Sequence, residues 1–162
     1  MRFTLAATLL LTSVLAGCGT TTVSPAIASN PGVRTAIGPD GYPILTSVTF
    51  TRSARASADD RANCTKSQIN DIESSPVKTG SSIEASGKTS FYFAEVGMSK
   101  AFRYSLKIRG DNNSVYTFDR LRYINNGSQG GPIMASKWWS PEYLVEELES
   151  ITDRIDACTR SR

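Results

Sequence analysis

The stretch "FRYSLKIRGDNNSVYTFDRLRYI", Phe102 to Ile124, decides the fold. Its first part alternates. Phe102, Tyr104, Leu106 and Ile108 fall on one side, and Arg103, Ser105, Lys107 and Arg109 on the other. That is the period of a strand with one face in a core. The run Gly110-Asp111-Asn112-Asn113 supplies turn residues, and the chain returns from Val115. On the return the phase slips: Tyr116 and Phe118 share a parity that Leu121 and Tyr123 do not. A β-bulge near Asp119-Arg120 brings all four rings and chains to one face.

A hairpin with an apolar face needs a cover. "SPEYLVEELESITDRIDACTR", Ser140 to Arg160, provides one. Leu144, Leu148, Ile151, Ile155 and Cys158 recur at spacings of four, three, four and three, a single apolar helical stripe. Ser140 is the expected N-cap, Pro141 suits the first helical position, and Trp139 is placed to staple onto Leu144. Upstream, "ILTSVTFTR" from Ile44 is β-rich, with Thr46, Val48 and Phe50 expected on one face. Ser57 with Asp60 forms a capping box for a short helix over about Ala58 to Ile69, carrying Cys64. Residues 73–89 read as short strands and turns, "FYFAEVGM" from Phe91 as a strand, and "NNGSQGGP" from Asn125 as a flexible loop. The fold class is α+β: an antiparallel sheet of about five strands, with a short N-terminal and a long C-terminal helix packed on one face. The domain is expected to span 44–162. This order resembles, in outline, helix-grip (START-like) domains. The resemblance implies a curved sheet wrapped around the C-terminal helix over an apolar cavity, and hence a carrier of an apolar ligand.

The N-terminus carries a different kind of signal. Arg2 is followed by the apolar run "FTLAATLLLTSVLA" and then by "LAGC", Leu15 to Cys18. These 18 residues resemble the signal peptide and lipobox of bacterial lipoproteins. The resemblance implies that residues 1–17 are removed and that Cys18 becomes an acylated N-terminus holding the protein to a membrane. Each buried methylene of such chains is worth about 0.8 kcal/mol, so two or three chains anchor it firmly. Gly19, rather than Asp, implies the outer membrane, facing the periplasm, under enterobacterial-type sorting. Residues 18–43, rich in Thr, Ser, Pro and Gly, read as a flexible tether. About 24 residues of coil give an end-to-end distance of roughly 25–30 Å. Export also bears on the two remaining cysteines. Cys64 and Cys158 are the number one bridge needs in an oxidising compartment.

Several function classes fall away. The chain has no histidine, which excludes Ser-His-Asp and Cys-His nucleophilic systems and His-bearing metal sites. Its net charge of +3 does not advertise nucleic acid. "GSSIEASGKT", Gly80 to Thr89, imitates a P-loop, but Ser82 stands where the first glycine is required, and a strand follows. "NGSQG" around Ser128 has Asn126 in place of the first glycine of a nucleophile elbow. Asp59, Asp60, Glu95 and Asp119 form no fixed carboxylate pair. No catalytic residue, metal ligand, nucleotide or cofactor is expected.

Two candidate sites remain. Arg103, Lys107 and Arg109, joined by Arg120 and Arg122, suit an anionic partner through forked hydrogen bonds. Trp138 and Trp139 are candidates for an interface, against the alternative that Trp138 fills the core. The expected function is that of a non-enzymatic, lipid-anchored envelope protein. It would be an accessory or assembly component whose partner is an envelope protein or an anionic lipid. A carrier of an apolar ligand is the second reading, and an envelope hydrolase the last.

Overall fold

The hairpin forms as its pattern requires. In the computed structural model, which describes residues 21–53, 56–93, 97–110, 112–125 and 128–162, β5 is Met98–Arg109 and β6 is Ser114–Asn125. Arg103 lies opposite Arg122, but Ser105 lies opposite Asp119, so β6 spends one residue more than β5 over that interval. Arg120 takes φ 51° there, and Leu121 is thereby turned inward to 3 % exposure. The bulge sits where the aromatic phase slips.

Around this pair a wholly antiparallel sheet assembles in the order β1-β2-β6-β5-β4-β3, with β7 also on β6. The other strands are β1 Val33–Ile37, β2 Pro43–Arg52, β3 Asp71–Thr79, β4 Ser82–Phe93 and β7 Ser128–Pro132. Seven strands replace the expected five or so. Part of the excess comes from 73–89, within the β3–β4 hairpin, and part from the supposed flexible loop, five of whose eight residues pair with β6 as β7. "FYFAEVGM" is not one strand: Phe93 is paired with Met98, so the run ends β4 and begins β5. In β2 the inward residues are Leu45, Val48 and Phe50, and Thr46 is exposed. A second bulge places Leu45 opposite Thr35 and Ser47 opposite Arg34, and the Thr46 hydroxyl donates to the Arg34 carbonyl at 3.0 Å.

The expected tether is the largest correction. Helix α1, Pro25–Ala28, and β1 belong to the fold, with Ile27 at 2 % and Val33 at 8 % exposure. Val23 is bridged to Ser136, and the Ser24 N–H donates to the Ala135 carbonyl at 2.8 Å. Val23, Ile27 and Val33 show no period of their own, since each buries against a distant part of the chain. Among the described residues the folded unit therefore includes the chain from Val23, not only that from Ile44.

Both longer helices cover the apolar face of the sheet. Helix α2, Ala58–Gln68, has the expected capping box: Ser57 Oγ accepts from the Asp60 N–H at 3.0 Å and donates to Asp60 Oδ2 at 2.6 Å. Helix α3, Pro141–Arg160, buries Leu144, Leu148, Ile151 and Ile155 to 1 % exposure or less. Its start differs from expectation. Ser140 makes no side-chain cap and adopts φ 42°, because its N–H closes a 3₁₀ turn over Lys137–Trp139 onto the Lys137 carbonyl at 3.1 Å. Cys64 and Cys158 are joined in a disulfide with Cα atoms 5.7 Å apart, inside the range such a bond needs. It fastens α2 to α3.

Candidate functional site

One face of the sheet lies under the helices and the other is uncovered. Antiparallel sheets tolerate this when the outer face is polar, and here it is densely charged. Lys88 on β4, Arg103, Lys107 and Arg109 on β5, and Arg120 and Arg122 on β6 supply six cationic groups, facing the carboxylates of Glu73, Glu84 and Asp119. Glu73 serves two cations at once, Lys88 at 2.9 Å and Arg103 at 3.4 Å. Glu84 is paired with Lys107. The hydrogen bond and charge of Lys107 hold the Glu84 carboxyl below the usual range, and Arg109 and Arg120 push it further the same way. Both arginines therefore feel the same carboxylate.

The structure thus divides the five predicted basic residues. Arg103 is engaged with Glu73 on β3, two strands away, and Lys107 with Glu84 on the adjacent β4, pairings that alternation along β5 could not reveal. Arg109, Arg120 and Arg122 are exposed and make no ion pair with a described residue. Arg122 lies directly opposite Arg103 across the strands, a like-charge pairing that costs stability unless an anion relieves it. A shallow cleft of about 440 Å³ runs along this face between Ser74, Glu84, Ser105, Lys107, Asp119 and Arg120.

The second candidate splits as well. Trp138 does not fill the core; it is 75 % exposed. Trp139 is half-buried, and its ring lies 6.4 Å from that of Tyr123. Between them stands Lys100, a residue sequence reasoning did not single out. Its Nζ is 4.2 Å from the Trp139 ring centroid, 4.7 Å from Phe93 and 5.5 Å from Tyr123. Three aromatic faces around one ammonium make cation–π contacts that clamp the 3₁₀ turn to the end of the sheet. Burial lowers the Lys100 pKa from the usual lysine value. No local sequence signal marks this arrangement, since the three rings come from β4, β6 and the turn.

The remaining motifs have structural roles. The "GKT" of the P-loop look-alike lies within β4. A Cβ at Gly87 would meet the Tyr104 hydroxyl at 2.8 Å and Ile69 at 2.9 Å, so the glycine admits close packing. Lys88 is paired with Glu73, and Thr89 Oγ1 donates to Glu147 at 2.8 Å. Asp59 is paired with Lys78 at 2.6 Å. Cys18, Glu95 and Asn126 lie outside the described residues. Among the described residues no cluster of His, Cys, Asp or Glu could hold a metal ion, and no helix is long and apolar enough to cross a membrane. No protein family, characterised protein or solved structure matches the chain.

Proposed function

We propose that the chain is a lipid-anchored envelope protein that acts by binding. It is an accessory or assembly component that presents the outer face of its sheet to an anionic partner. The "LAGC" sequence ending at Cys18 supports the anchor. The observation that carries the binding role is the uncovered sheet face, where Arg109, Arg120 and Arg122 make no ion pair with a described residue and Arg122 lies opposite Arg103. Guanidinium groups in such a row favour forked hydrogen bonds to carboxylate or phosphate. The carrier reading draws less support. The space between sheet and α3 is occupied by Phe102, Leu106, Phe118, Leu144, Leu148 and Ile151, each at 1 % exposure or less. A photo-crosslinking residue placed at Arg109 or Arg122 in intact cells should give a discrete adduct. The same residue at exposed Glu146 on α3 should give none. Adducts from Glu146 alone, or from no sheet position, would remove the outer face from the function.

A further inference from the structure

The described chain begins beside its most exposed tryptophan. Val23 is bridged to Ser136, and Ser24 is hydrogen-bonded to Ala135, so the first described strand-paired residue lies next to the Lys137–Trp139 turn. Cys18 precedes Val23 by five positions. Five residues, fully extended, span at most about 18 Å. Acyl chains on Cys18 would therefore hold this end of the domain against the bilayer, not at the end of a long leash.

That end has the composition a membrane interface selects. Trp138 is 75 % exposed, Lys137 is exposed, and Met98, on the same side of β5 as Lys100, is 51 % exposed. Trp rings concentrate at the headgroup level because they offer an apolar body and a polar N–H. A lysine beside one can reach lipid phosphates. The turn is also held rigidly. Ser136 is fully buried before it, and Trp139 is clamped by Lys100 after it, so the outward direction of Trp138 is set by the fold.

We infer that the Lys137–Trp139 turn is a second membrane contact. Trp138 seats among the headgroups of the leaflet that holds Cys18, and Lys137 meets their phosphates. The inference rests on the lipid-anchor reading. A linker this short keeps the turn at high effective concentration near the surface, so even a weak contact is occupied. Two points of attachment would fix how the domain faces the membrane, which one flexible tether could not.

Fluorescence can decide it. The chain contains two tryptophans, so Trp139→Phe leaves Trp138 as sole reporter. The full chain, purified from cells, is reconstituted in vesicles of phosphatidylethanolamine and phosphatidylglycerol, with or without bromine on the acyl carbons nearest the headgroup. The expected result is a blue shift of Trp138 emission, loss of most of that emission in brominated vesicles, and protection from aqueous iodide. In the two-tryptophan protein, Trp138→Ala should abolish the lipid quenching, which guards against disturbance caused by Trp139→Phe. If the protein floats with the vesicles while Trp138 stays wet and unquenched, the contact is overturned and the anchor stands. If the purified chain carries no acyl mass and does not float, the anchor reading falls and this inference falls with it.

Discussion

Replacing Cys64 and Cys158 together by alanine should release α2 before anything else. The bond closes a loop with a sequence separation of 94 residues. In the chain-entropy account a loop of that size is worth about 4.7 kcal/mol. A domain of this length has an unfolding entropy near 0.3 kcal/mol/K, so the melting temperature should fall by about 15 °C. The loss should not be uniform, because α2 has few buried apolar side chains to hold it without the bond. Its buried residues are Arg61 at 1 % exposure, Cys64 and Thr65 at 0 %. Among the described residues, Arg61 Nε and Nη2 and Thr65 Oγ1 have no hydrogen-bond partner. Each such buried polar atom costs about 1–3 kcal/mol. The apolar anchors are few, chiefly Ile69 just beyond the helix, at 5 % exposure. The disulfide offsets that deficit by fastening α2 to α3.

Calorimetry gives the global figure and hydrogen exchange gives the order of events. Amides of Ala62 to Gln68 should exchange rapidly in the double variant at temperatures where β4, β5 and β6 remain protected. Reduced wild type should behave alike. A fall in melting temperature below about 4 °C, the size of a 1 kcal/mol effect, would refute the reasoning. So would unchanged protection of α2. Equal labelling of both cysteines by an alkylating agent without reductant would remove its premise.

Other outcomes follow from single features. Cys18→Ala should move the protein from the membrane to the soluble fraction, and unchanged fractionation would count against acylation there. Arg120→Gly should raise stability by about 0.5–1 kcal/mol, because an exposed non-glycine residue at φ 51° carries strain that glycine lacks; a lower urea midpoint would contradict this. With the crosslinking residue at Arg109, reversing Arg120 and Arg122 to Glu should abolish the adduct while leaving the far-ultraviolet spectrum intact, and an undiminished adduct would return those arginines to ordinary solvation. Burial pushes the Tyr116 and Tyr123 hydroxyls up to about 12, and Tyr104 is raised by the same cause. An unfolded tyrosine ionises near pH 10, so the folded state holds the extra protons. Their stabilisation is complete below about pH 10 and is lost as pH climbs through about 12. Melting temperatures should fall across that window, and a flat profile there would show that these rings are not buried.

The legible parts of the fold are those whose evidence lies within one short window. The α3 stripe, the Ser57 capping box and the slip of aromatic phase in β6 all depend on spacing between near neighbours, and the structure keeps each of them. The β2 bulge, which the expected inward Thr46 missed, obeys the same rule. Leu45 and Val48 are three apart, an odd spacing on one face that signals an extra residue just as Phe118 and Leu121 do. The charged face was legible as a direction only. Alternation along β5 says which way Arg103 and Lys107 point, but Glu73 and Glu84 reach them from β3 and β4, and register between strands is not written in either strand alone.

The misread N-terminal segment has the largest consequence for function. Residues 23–37 lack helical or strand period because Val23 pairs with Ser136, Gly32 with Thr49 and Val33 with Val48, contacts that no local window contains. Compositionally such a segment is indistinguishable from a linker. Folding it in changes what the proposed anchor at Cys18 could do. A tether of 24 residues would let the domain sample partners anywhere within roughly 25–30 Å of the bilayer. With Val23 fixed, the reach from Cys18 drops to about 18 Å at full extension. On the proposed reading, a partner of the arginine face would then meet it close to the membrane surface. An anchored chain lengthened by a flexible insert between Cys18 and Val23 separates the two cases. Partner capture that survives a twenty-residue insert would mean proximity to the bilayer is incidental, whereas loss of capture with the fold intact would mean the short link is part of how the partner is met.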